Sequence, residues 1–517
     1  MDLEINSLKK IGALDWITKE EMEKIMKAED VPQLTGLTWT FKAKFKDGKH
    51  DKFRARLVLR GDLTKQYYNE SERYSPTLKA QTTKLILAHA LEKNMVVEQY
   101  DVPLAYLHAK PGKTTVVYNI EGYEKYDDKG RPMYIQIKRN LYGGVDSGKQ
   151  WNDYNTKFIT EDLRLLQCPE DPCLFYDKDR TIFIACYVDD LIIATINQKQ
   201  QDQYHKRFHD KYGIKHEGPL HWYLGVKYER KEEGFYATQT SHINKLINEC
   251  DLADAHPTLK PFPSQSTLIP TDEYTSTVEH QEKQKWLETV IGQLTYLACC
   301  TRPDIATATN IVARYVTKPS PSIIEATKHI IKYLKGTKTT GILIRPHNNK
   351  QLTCYVDASF TQDWKLHGYS RYGYIIFIND SPISWKSSYL RCNTLSTTES
   401  EYCALSQCAR DVIPLQRLQN IITNSQQDSN AIPLQIDFKE DNQSTINTVK
   451  RDNIAHLRCK HISAYYHFIR ELHKSKIANI EYVHTKDQLA DFLTKTTIPV
   501  NDFRRIRDKI MKIPPSI

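Results

Sequence analysis

The chain has 517 residues, of which 40% are hydrophobic and 10% aromatic. This length and composition predict about two to four globular domains and exclude a largely disordered protein. Lys and Arg number 72 against 63 Asp and Glu, and the formal net charge of +9 is too small to identify a partner by itself.

Membrane and export signals are weak in this sequence. The longest apolar run, Thr181–Ile196, is interrupted by Asp189 and Asp190, which argues against a transmembrane helix. Met1–Lys10 is charged and no apolar segment follows it, so we expect no signal peptide. The 11 cysteines form no Cys-x-x-Cys pair, so we expect neither a disulfide framework nor a zinc site, and a reducing intracellular setting.

The N-terminal segments predict a helix followed by a basic hairpin. The first 30 residues have the pattern of a short amphipathic helix, with Thr18–Lys27 acidic and then basic. Phe41–Arg60 has Lys or Arg at about every second residue, with apolar residues between them, which predicts a hairpin with a basic face and an apolar face. The basic face suits phosphate, yet a solvated strand pair explains the pattern about equally well.

Helical spacing and apolar runs alternate through the middle of the chain. In chain order we predict a helix over Lys79–Lys93, a buried strand over Met95–Val102, a helix over Asn152–Leu166, and a hairpin of Thr181–Val188 with Leu191–Ile196.

The last half begins with a change in composition. Pro257–Thr277 is rich in Pro, Ser and Thr, which predicts a linker or a long loop. Helices dominate from Gln284 to about Lys335. From Gln351 we predict three strands, a helix, a strand, two helices, a strand and a final helix, an order typical of a mixed sheet with flanking helices.

The acidic pair between the two apolar strands is the clearest candidate for a functional site. Asp is a common turn residue, and for an Asp-Asp pair in general a solvated turn is favoured by about three to one. Here no Gly, Asn or Pro shapes the turn, and ionised carboxylates between buried strands are costly unless a cation compensates them. With Asp101, which ends the preceding strand, Asp189 and Asp190 offer enough oxygens to hold two Mg²⁺ ions.

Several ordered motifs resemble those of copia-type retrotransposon polymerases. CYVDDLIIA (186–194) is similar to the central motif of reverse transcriptases, and QYDVPLAYLHA (99–109) is similar to their preceding catalytic strand. FRARLVLRG (53–61) and GQLTYLACCTRPDIATATNIVARY (292–315) also have counterparts there. The resemblance runs from about Thr38 to Thr496 and covers the reverse transcriptase–ribonuclease H region of a copia-type (Pseudoviridae) LTR retrotransposon Pol polyprotein.

The resemblance implies an α+β and α/β multidomain fold. A right-hand polymerase with fingers, palm and thumb would be followed by a connection and by a ribonuclease H-like domain with a mixed sheet. The implied limits are residues 1–37 for an N-terminal helical lead-in, 38–240 for fingers and palm, 241–345 for a helix-rich thumb and connection, 346–500 for the ribonuclease H-like domain, and 501–517 for a basic C-terminal tail.

The resemblance also implies roles for individual residues. Asp101, Asp189 and Asp190 would bind metal and catalyse. Tyr106 would lie under the incoming sugar and exclude a 2′-hydroxyl. The other implied contacts are to the nucleotide from Arg54, Arg56, Tyr142 and Gly143, and to primer and template from Leu224 and Gly225.

Two segments depart from the family pattern. The family usually has Leu-Tyr-Gly-Leu-Lys-Gln, whereas here Gly144, Val145 and Asp146 follow Leu141-Tyr142-Gly143. A new carboxylate near the nucleotide pocket would weaken triphosphate binding. Residues 119–130 also replace the family's proline-rich segment.

A second set of acids lies in the last third, in the motifs CYVDASF (354–360), STTESEY (396–402), EDNQSTI (440–446) and QLADFLTK (488–495). Singly, each acid is a surface residue by about four to one. Together they resemble the four-carboxylate set of ribonuclease H, which implies that Asp357, Glu401, Asp441 and Asp491 bind two Mg²⁺ ions and catalyse. Glu399 competes with Glu401, but a helix turns residues two apart by about 200°, so only one faces the site.

The implied function is DNA synthesis on RNA and DNA templates, with degradation of the RNA strand of RNA–DNA hybrids. It would use Mg²⁺ or Mn²⁺, two ions at each site. The implied partners are an RNA template, a DNA primer, RNA–DNA hybrids, dNTPs and the integrase and capsid proteins of the same element, without a membrane. The implied location is a cytoplasmic virus-like particle, with a nuclear stage during integration.

Two alternatives stay open. One is a decayed or domesticated element that binds nucleic acid without catalysis, which the altered segment after Gly143 favours and the intact acids disfavour. The other is a metal-dependent nuclease whose first region is only a structural platform, although the three acids of that region make this less economical.

Overall fold

The structure is a computed structural model in which the chain divides by its contacts into two compact units. The first unit comprises Met1–Leu78 and Val96–Pro219, and the second comprises Lys79–Met95 and Leu220–Ile517. None of the described helices is both long and apolar enough to cross a membrane. The described residues are 1–27, 34–46, 49–262, 268, 277–347, 351–360, 369–423, 435–451 and 463–512.

Helices and strands of the described residues are numbered in chain order. The α-helices are α1 (Asp2–Lys10), α2 (Lys19–Met26), α3 (Glu70–Arg73), α4 (Ala80–Glu92), α5 (Ser147–Lys157), α6 (Gln198–Tyr212), α7 (Thr240–Glu249), α8 (Val278–Cys300), α9 (Ala306–Ala313), α10 (Pro321–Gly336), α11 (Thr397–Ile422), α12 (Gln443–Lys450), α13 (Ser463–Lys474) and α14 (Val500–Ile510). The strands are β1 (Leu14–Ile17), β2 (Leu37–Lys46), β3 (Lys49–Leu59), β4 (Val96–Asp101), β5 (Thr115–Val117), β6 (Tyr134–Ile137), β7 (Leu166–Gln167), β8 (Leu174–Tyr176), β9 (Ile182–Tyr187), β10 (Asp190–Thr195), β11 (Lys215–Pro219), β12 (Trp222–Tyr223), β13 (Val226–Lys231), β14 (Gly234–Thr238), β15 (Ile342–Ile344), β16 (Leu352–Ser359), β17 (Arg371–Ile378), β18 (Ser381–Tyr389), β19 (Ile436–Glu440) and β20 (Ala478–Tyr482).

The first unit is built on a six-stranded sheet with the order β11-β4-β10-β9-β8-β7. Its central strands β9 and β10 are apolar runs that are buried almost throughout, as expected for strands covered on both faces. Trp151 of α5 and Phe208 and Tyr212 of α6 join the core beside these strands. The hairpin predicted around Asp189 and Asp190 is thereby confirmed.

The basic hairpin predicted over Phe41–Arg60 is also confirmed, as the two-stranded sheet of β2 and β3. Leu57 near its base is buried, whereas the Phe41 and Phe53 side chains are exposed. Among the hairpin side chains that the structure describes, the predicted apolar face therefore contributes to a core near the base of the hairpin, and Phe41 and Phe53 are exposed further out.

The first 30 residues differ from the single helix predicted for them. Helices α1 and α2 are separated by β1, which pairs with β6 in a three-stranded sheet completed by β5. Gly12 follows α1 with a φ of +67°, a conformation that favours glycine. Thr18 caps α2, because its hydroxyl accepts a hydrogen bond from the Glu21 N–H. A four-residue strand carries too little periodicity to be predicted without its distant partner.

The second unit has a four-stranded sheet, β12-β13-β14-β15, and a five-stranded sheet, β18-β17-β16-β19-β20. In the five-stranded sheet β16 is antiparallel to β17 and parallel to β19, so the mixed sheet predicted after Gln351 is confirmed. Helices α8, α9 and α10 share one core with β17 and α14, as Leu294, Ile330 and Phe377 illustrate. The predicted multidomain α/β architecture is therefore confirmed.

Some predicted boundaries differ from the structure. The helix predicted over Asn152–Leu166 begins earlier, as α5, and continues after Lys157 as a π-helical turn, Phe158–Asp162. Of the linker predicted over Pro257–Thr277, residues 263–267 and 269–276 lie outside the described residues. The predicted basic tail, residues 501–517, includes most of α14, whose apolar side packs into the core, and residues 513–517 lie outside the described residues. The other domain limits stay predictions.

Lys84 is a buried cation in the second unit. Helix α4, predicted over Lys79–Lys93, is buried on nearly all sides, and the Lys84 ammonium donates to the Ile383 carbonyl at 3.1 Å. The same nitrogen lies 3.9 Å from the ring centre of Trp385. Burial lowers the pKa of Lys84 from 10.5 to about 7.

Replacing Lys84 tests how much the burial of its charge lowers the stability of the protein. Between pH 7 and pH 10.5 the unfolded chain holds a proton on Lys84 that the folded chain has lost, so wild-type stability rises with pH across that window. The free energy of unfolding of Lys84→Met, relative to that of wild type, should therefore be highest below pH 7. By pH 9.5 this difference should have fallen by about 3 kcal/mol. Urea unfolding at pH 6 and pH 9.5 measures this, with Lys93→Met as the exposed control. A difference that does not change with pH would contradict the assignment.

Candidate functional sites

The first set of acids lies at one end of the six-stranded sheet. Asp101 ends β4, Asp190 begins β10, and the antiparallel register places the two directly opposite each other. Asp189 precedes Asp190 in a two-residue turn with Val188. The turn lies one residue earlier than predicted, and the structure brings the three predicted acids together.

Hydrogen bonds from two other segments of the first unit hold this turn in a strained conformation. Val188 has a φ of +55°, which is unusual for a β-branched residue and costs about 1–3 kcal/mol. The Trp151 Nε1–H donates to the Val188 carbonyl at 2.7 Å, and the Val102 N–H donates to the Asp189 carbonyl at 2.8 Å. Two such bonds contribute about 1–3 kcal/mol, comparable to the strain that they offset.

The three carboxylates repel one another in a partly desolvated place. Burial, and then the charges of Asp189 and Asp101, raise the pKa of Asp190 from 3.8 to about 6. Burial and the charge of Asp189 also raise the pKa of Asp101, against the opposing effects of Lys215 and Arg54. Lys215 lies opposite Asp101 on β11, but its ammonium is paired with Glu217. The site therefore favours a bound cation over three free carboxylates.

Three of the predicted nucleotide-binding residues lie together. The Arg56 guanidinium carbon is 4.3 Å from the ring centre of Tyr142, and the Tyr142 and Tyr106 rings meet edge to face at 5.4 Å. The Arg56 Nε is buried and has no hydrogen-bond partner among the described residues. Burial raises the pKa of Tyr106, and the charge of Asp189 adds to the rise, so this ring lies within reach of the acids. Arg54 is on the same strand, two residues before Arg56.

The segment that departs from the family pattern packs closely on β3. Gly143 has a φ of +82°, and a Cβ there would lie 2.3 Å from the Leu59 carbonyl oxygen, so only glycine fits. The Asp146 side chain is buried and accepts a hydrogen bond from the Gly112 N–H at 2.8 Å. The new carboxylate therefore anchors a loop at the start of α5. The expected effect of Asp146 on triphosphate binding stays a prediction.

The residues predicted to contact primer and template form a tight turn in the second unit. Leu224 and Gly225 connect β12 and β13 with φ values of +46° and +70°, the pattern of a two-residue hairpin loop. The Tyr296 hydroxyl of α8 donates to the Leu224 carbonyl. This contact fixes the turn against α8.

The second set of acids lies on four different elements of the second unit. Asp357 is on β16, Glu401 is in the first turns of α11, Asp441 directly follows β19, and Asp491 begins a 3₁₀ turn before α14. One oxygen each of Asp357, Asp441 and Asp491 lie within 4.8 Å of one another, and so do one oxygen each of Glu401, Glu440 and Asp441. The structure thus brings all four predicted acids together.

Lys495 and Thr494 are the polar neighbours of this cluster on its Asp357 side. The Lys495 ammonium lies 2.6 Å from Asp491 and 3.5 Å from Asp357, and the Thr494 hydroxyl donates to Asp357. Burial raises the pKa of Asp357 to about 7 even with this lysine beside it. Burial and neighbouring acids also raise the pKa of Glu401 well above its usual range. One lysine does not neutralise the cluster.

Both clusters offer only carboxylate oxygens, and such sets suit Mg²⁺ and Mn²⁺. In the second cluster these oxygens approach within 4.8 Å in two groups of three, and several of the acids are buried, whereas the acids of the first cluster are partly exposed. Glu399, the competing acid, instead accepts from the Leu395 N–H at 2.7 Å, so Glu401 is the residue of that pair in the cluster.

Sequence reasoning missed three contributors to these sites. Trp151 carries no local signal of its hydrogen bond to the turn. Lys495 ends the motif QLADFLTK, four residues after Asp491, a spacing typical of an ion pair. Glu440 was detectable, because it continues the buried positions Ile436 and Phe438 of one strand face.

Comparisons with known proteins match most of the chain to transposon Pol polyproteins. Residues 23–264 match the model of the family described as reverse transcriptase (RNA-dependent DNA polymerase). The retrovirus-related Pol polyprotein from transposon TNT 1-94 of Nicotiana tabacum is 28% identical over 523 residues, 99% of this chain and 37% of that protein. The transposon Ty1-DR6 Gag-Pol polyprotein of Saccharomyces cerevisiae is 25% identical over 531 residues, 98% of this chain and 28% of that protein. Among solved structures, a foamy viral protease-reverse transcriptase in complex with an RNA/DNA hybrid is similar with a TM-score of 0.46 and 11% identity, over 91% of this chain and 54% of that chain.

These matches extend from plant to yeast transposons and cover nearly the whole chain. The chain itself spans about a third of the length of the curated relatives it matches. The resemblance predicted from the motifs is confirmed. Residues 23–264 match the reverse transcriptase family model, and nearly the whole chain is similar to the Pol polyproteins of copia-type transposons.

Proposed function

We propose that this chain is a retrotransposon reverse transcriptase and ribonuclease H, which copies RNA and DNA templates into DNA and degrades the RNA strand of RNA–DNA hybrids. The observation that carries the proposal is the direct pairing of Asp101 with Asp190, with Asp189 in the adjoining turn. Three carboxylates converging from two neighbouring strands are the arrangement that nucleotidyl transfer with two divalent cations requires.

At the first site the chain would bind and orient a primer end and a nucleotide. Divalent cations held by the three aspartates would lower the pKa of a primer 3′-hydroxyl and offset charge on the leaving pyrophosphate. Arg54 and Arg56 have planar guanidinium groups that would bind triphosphate oxygens. The Arg56 Nε–H has no hydrogen-bond acceptor among the described residues and would be able to donate to such an oxygen. Tyr106, stacked edge-on against Tyr142, would lie under the sugar and exclude a 2′-hydroxyl.

At the second site the four acids would orient a water against the RNA strand and leave a 3′-hydroxyl on the product. Asp357, Asp441 and Asp491 provide the oxygens on one side of the cluster, and Glu401 provides one on the other. Lys495 would balance part of their charge in the absence of cations.

The alternative of a decayed element is disfavoured by the position of Asp146. That alternative rested on an added negative charge near the nucleotide, whereas the carboxylate is buried and bonded to Gly112. The strained Val188 turn and its hydrogen bond from Trp151 argue against a nuclease with an inert first region, because an inert region does not require a strained turn. RNA template, DNA primer, dNTPs, integrase and capsid partners, and a location in virus-like particles are parts of the same proposal.

Primer extension tests the polymerase. Purified chain given oligo(dT)-primed poly(rA), dTTP and Mg²⁺ or Mn²⁺ should extend the primer, and Asp190→Asn should lower the rate at least about 10²-fold because a cation ligand is lost. Asp210→Asn, an exposed acid on α6, should extend like wild type. Absence of extension by wild type with either cation would overturn the polymerase assignment.

The turn gives a more specific prediction. Trp151→Phe keeps the ring but removes the Nε1–H that holds the Val188 carbonyl, so extension should slow about five- to tenfold in kcat. Trp385→Phe is a matched control, because it removes a bond of the same 2.7 Å length to the Ala298 carbonyl, both groups belonging to the second unit. Equal rates for the two variants would show that this bond does not position the site.

Cleavage of a labelled RNA–DNA hybrid tests the nuclease. Asp441→Asn should abolish cleavage and leave primer extension largely intact, because Asp441 belongs to both groups of acids in the second site. Asp437→Asn, on β19, the strand that Asp441 follows, is the control. Persistent cleavage by Asp441→Asn would show that the second site is misassigned.

A further inference from the structure

Glu440 is an acid in a position that the strand pattern reserves for an apolar residue. Along β19 the residues Ile436, Phe438 and Glu440 are buried, while Asp437 and Lys439 between them are partly exposed. Glu440 has a relative exposure of 0%. A charged group completely withdrawn from water requires compensation by a cation or by hydrogen bonds.

The hydrogen bonds of Glu440 do not supply that compensation. One oxygen, Oε1, accepts a hydrogen bond from the Asn442 N–H at 3.0 Å. The other, Oε2, is buried and has no hydrogen-bond partner among the described residues. Glu401 Oε2 is in the same condition, and one oxygen each of Glu401, Glu440 and Asp441 lie within 4.8 Å of one another.

Protein cations do not supply it either. The Lys495 ammonium is engaged with Asp491 and Asp357 at 2.6 and 3.5 Å. Within the described parts of the chain, neither Glu401 nor Glu440 forms an ion pair with a Lys, Arg or His side chain. Glu401 and Glu440 are both buried, and each has an oxygen without a hydrogen-bond partner among the described residues. These oxygens therefore indicate one binding site that the two glutamates share.

We propose that Glu440 is an additional carboxylate ligand of the second site, which binds a divalent cation together with Glu401 and Asp441. The inference rests on the proposed nuclease, because Asp441 also belongs to the group with Asp357 and Asp491. Asp441 would then be common to two neighbouring cations. An oxygen-only set with this much negative charge selects hard divalent cations, and the added carboxylate raises their affinity before nucleic acid binds.

Mn²⁺ binding without nucleic acid tests the proposal on the full chain. Asp101→Asn is placed in every sample so that the first site contributes less to binding. Calorimetric titration and the electron paramagnetic resonance of free Mn²⁺ then give affinity and stoichiometry. Glu440→Gln should bind at least about tenfold more weakly or lose an ion per chain.

Asp437→Asn is the matched control for that experiment. Asp437 is on the same strand but on its other face, where it accepts hydrogen bonds from Gln351 and Asn479 at 2.6 and 3.0 Å. Its variant should bind Mn²⁺ as the parent chain does. Unchanged affinity and stoichiometry in Glu440→Gln would overturn the proposal.

A second variant covers the case in which Glu440→Gln does not fold. Glu440→Asp keeps the charge but withdraws it by one methylene group, so a ligand at this position should change Mn²⁺ affinity and the Mn²⁺-induced rise in Tm. Binding by Glu440→Asp identical to the parent chain would count against a ligand there.

Hybrid cleavage by the wild-type chain, measured in parallel, separates this inference from the proposed function. Cleavage by wild type, with normal Mn²⁺ binding by Glu440→Gln, overturns only the role of Glu440. Glu440-dependent binding without any cleavage supports the cation site and overturns the nuclease.

Discussion

Carboxylates drawn out of water beside one another are the constraint on which both sites depend. In the first unit the strand register sets the separation of Asp101 and Asp190, whereas in the second unit the acids come from strands, a helix and a 3₁₀ turn. In the first unit the pairing of Asp101 with Asp190 is fixed by backbone hydrogen bonds of the ladder. The repulsion that results appears as raised pKa values for both groups. Repulsion between these carboxylates lowers the free energy of unfolding, and a bound cation would raise it again.

The two sites differ in how much of that repulsion the protein itself relieves. The first is partly open to solvent, and its nearest lysine, Lys215, is shared with Glu217. The second is more deeply buried at Asp357, which is only 1% exposed, and it carries its own counter-charge in Lys495. A more deeply buried cluster requires fuller neutralisation, whereas a more solvated one tolerates residual charge. On this reasoning, the second site should hold its cation more firmly than the first in the absence of substrate.

The sequence predicts these sites well where local pattern and tertiary environment agree. Apolar runs on both sides of Asp189 and Asp190 predict the central hairpin, because strands covered on both faces must be apolar throughout. Strand β1 was not predictable, since its partner β6 lies far along the chain. The bond from Trp151 to Val188 was hidden for the same reason. Glu440 was overlooked although the alternation of β19 marks it, because the adjoining motif singles out Asp441 alone.

The altered segment after Tyr142 shows how a departure in sequence is absorbed by structure. Gly143 is retained where its φ of +82° and its contact with the Leu59 carbonyl allow no side chain. Asp146 is new, yet its carboxylate is directed to the Gly112 amide. The segment therefore retains Gly143, which packs on β3 next to Tyr142. It differs from the family at Asp146, which anchors the start of α5. The ring of Tyr142 lies under the Arg56 guanidinium, so the altered segment leaves together two of the residues that the proposal assigns to the triphosphate.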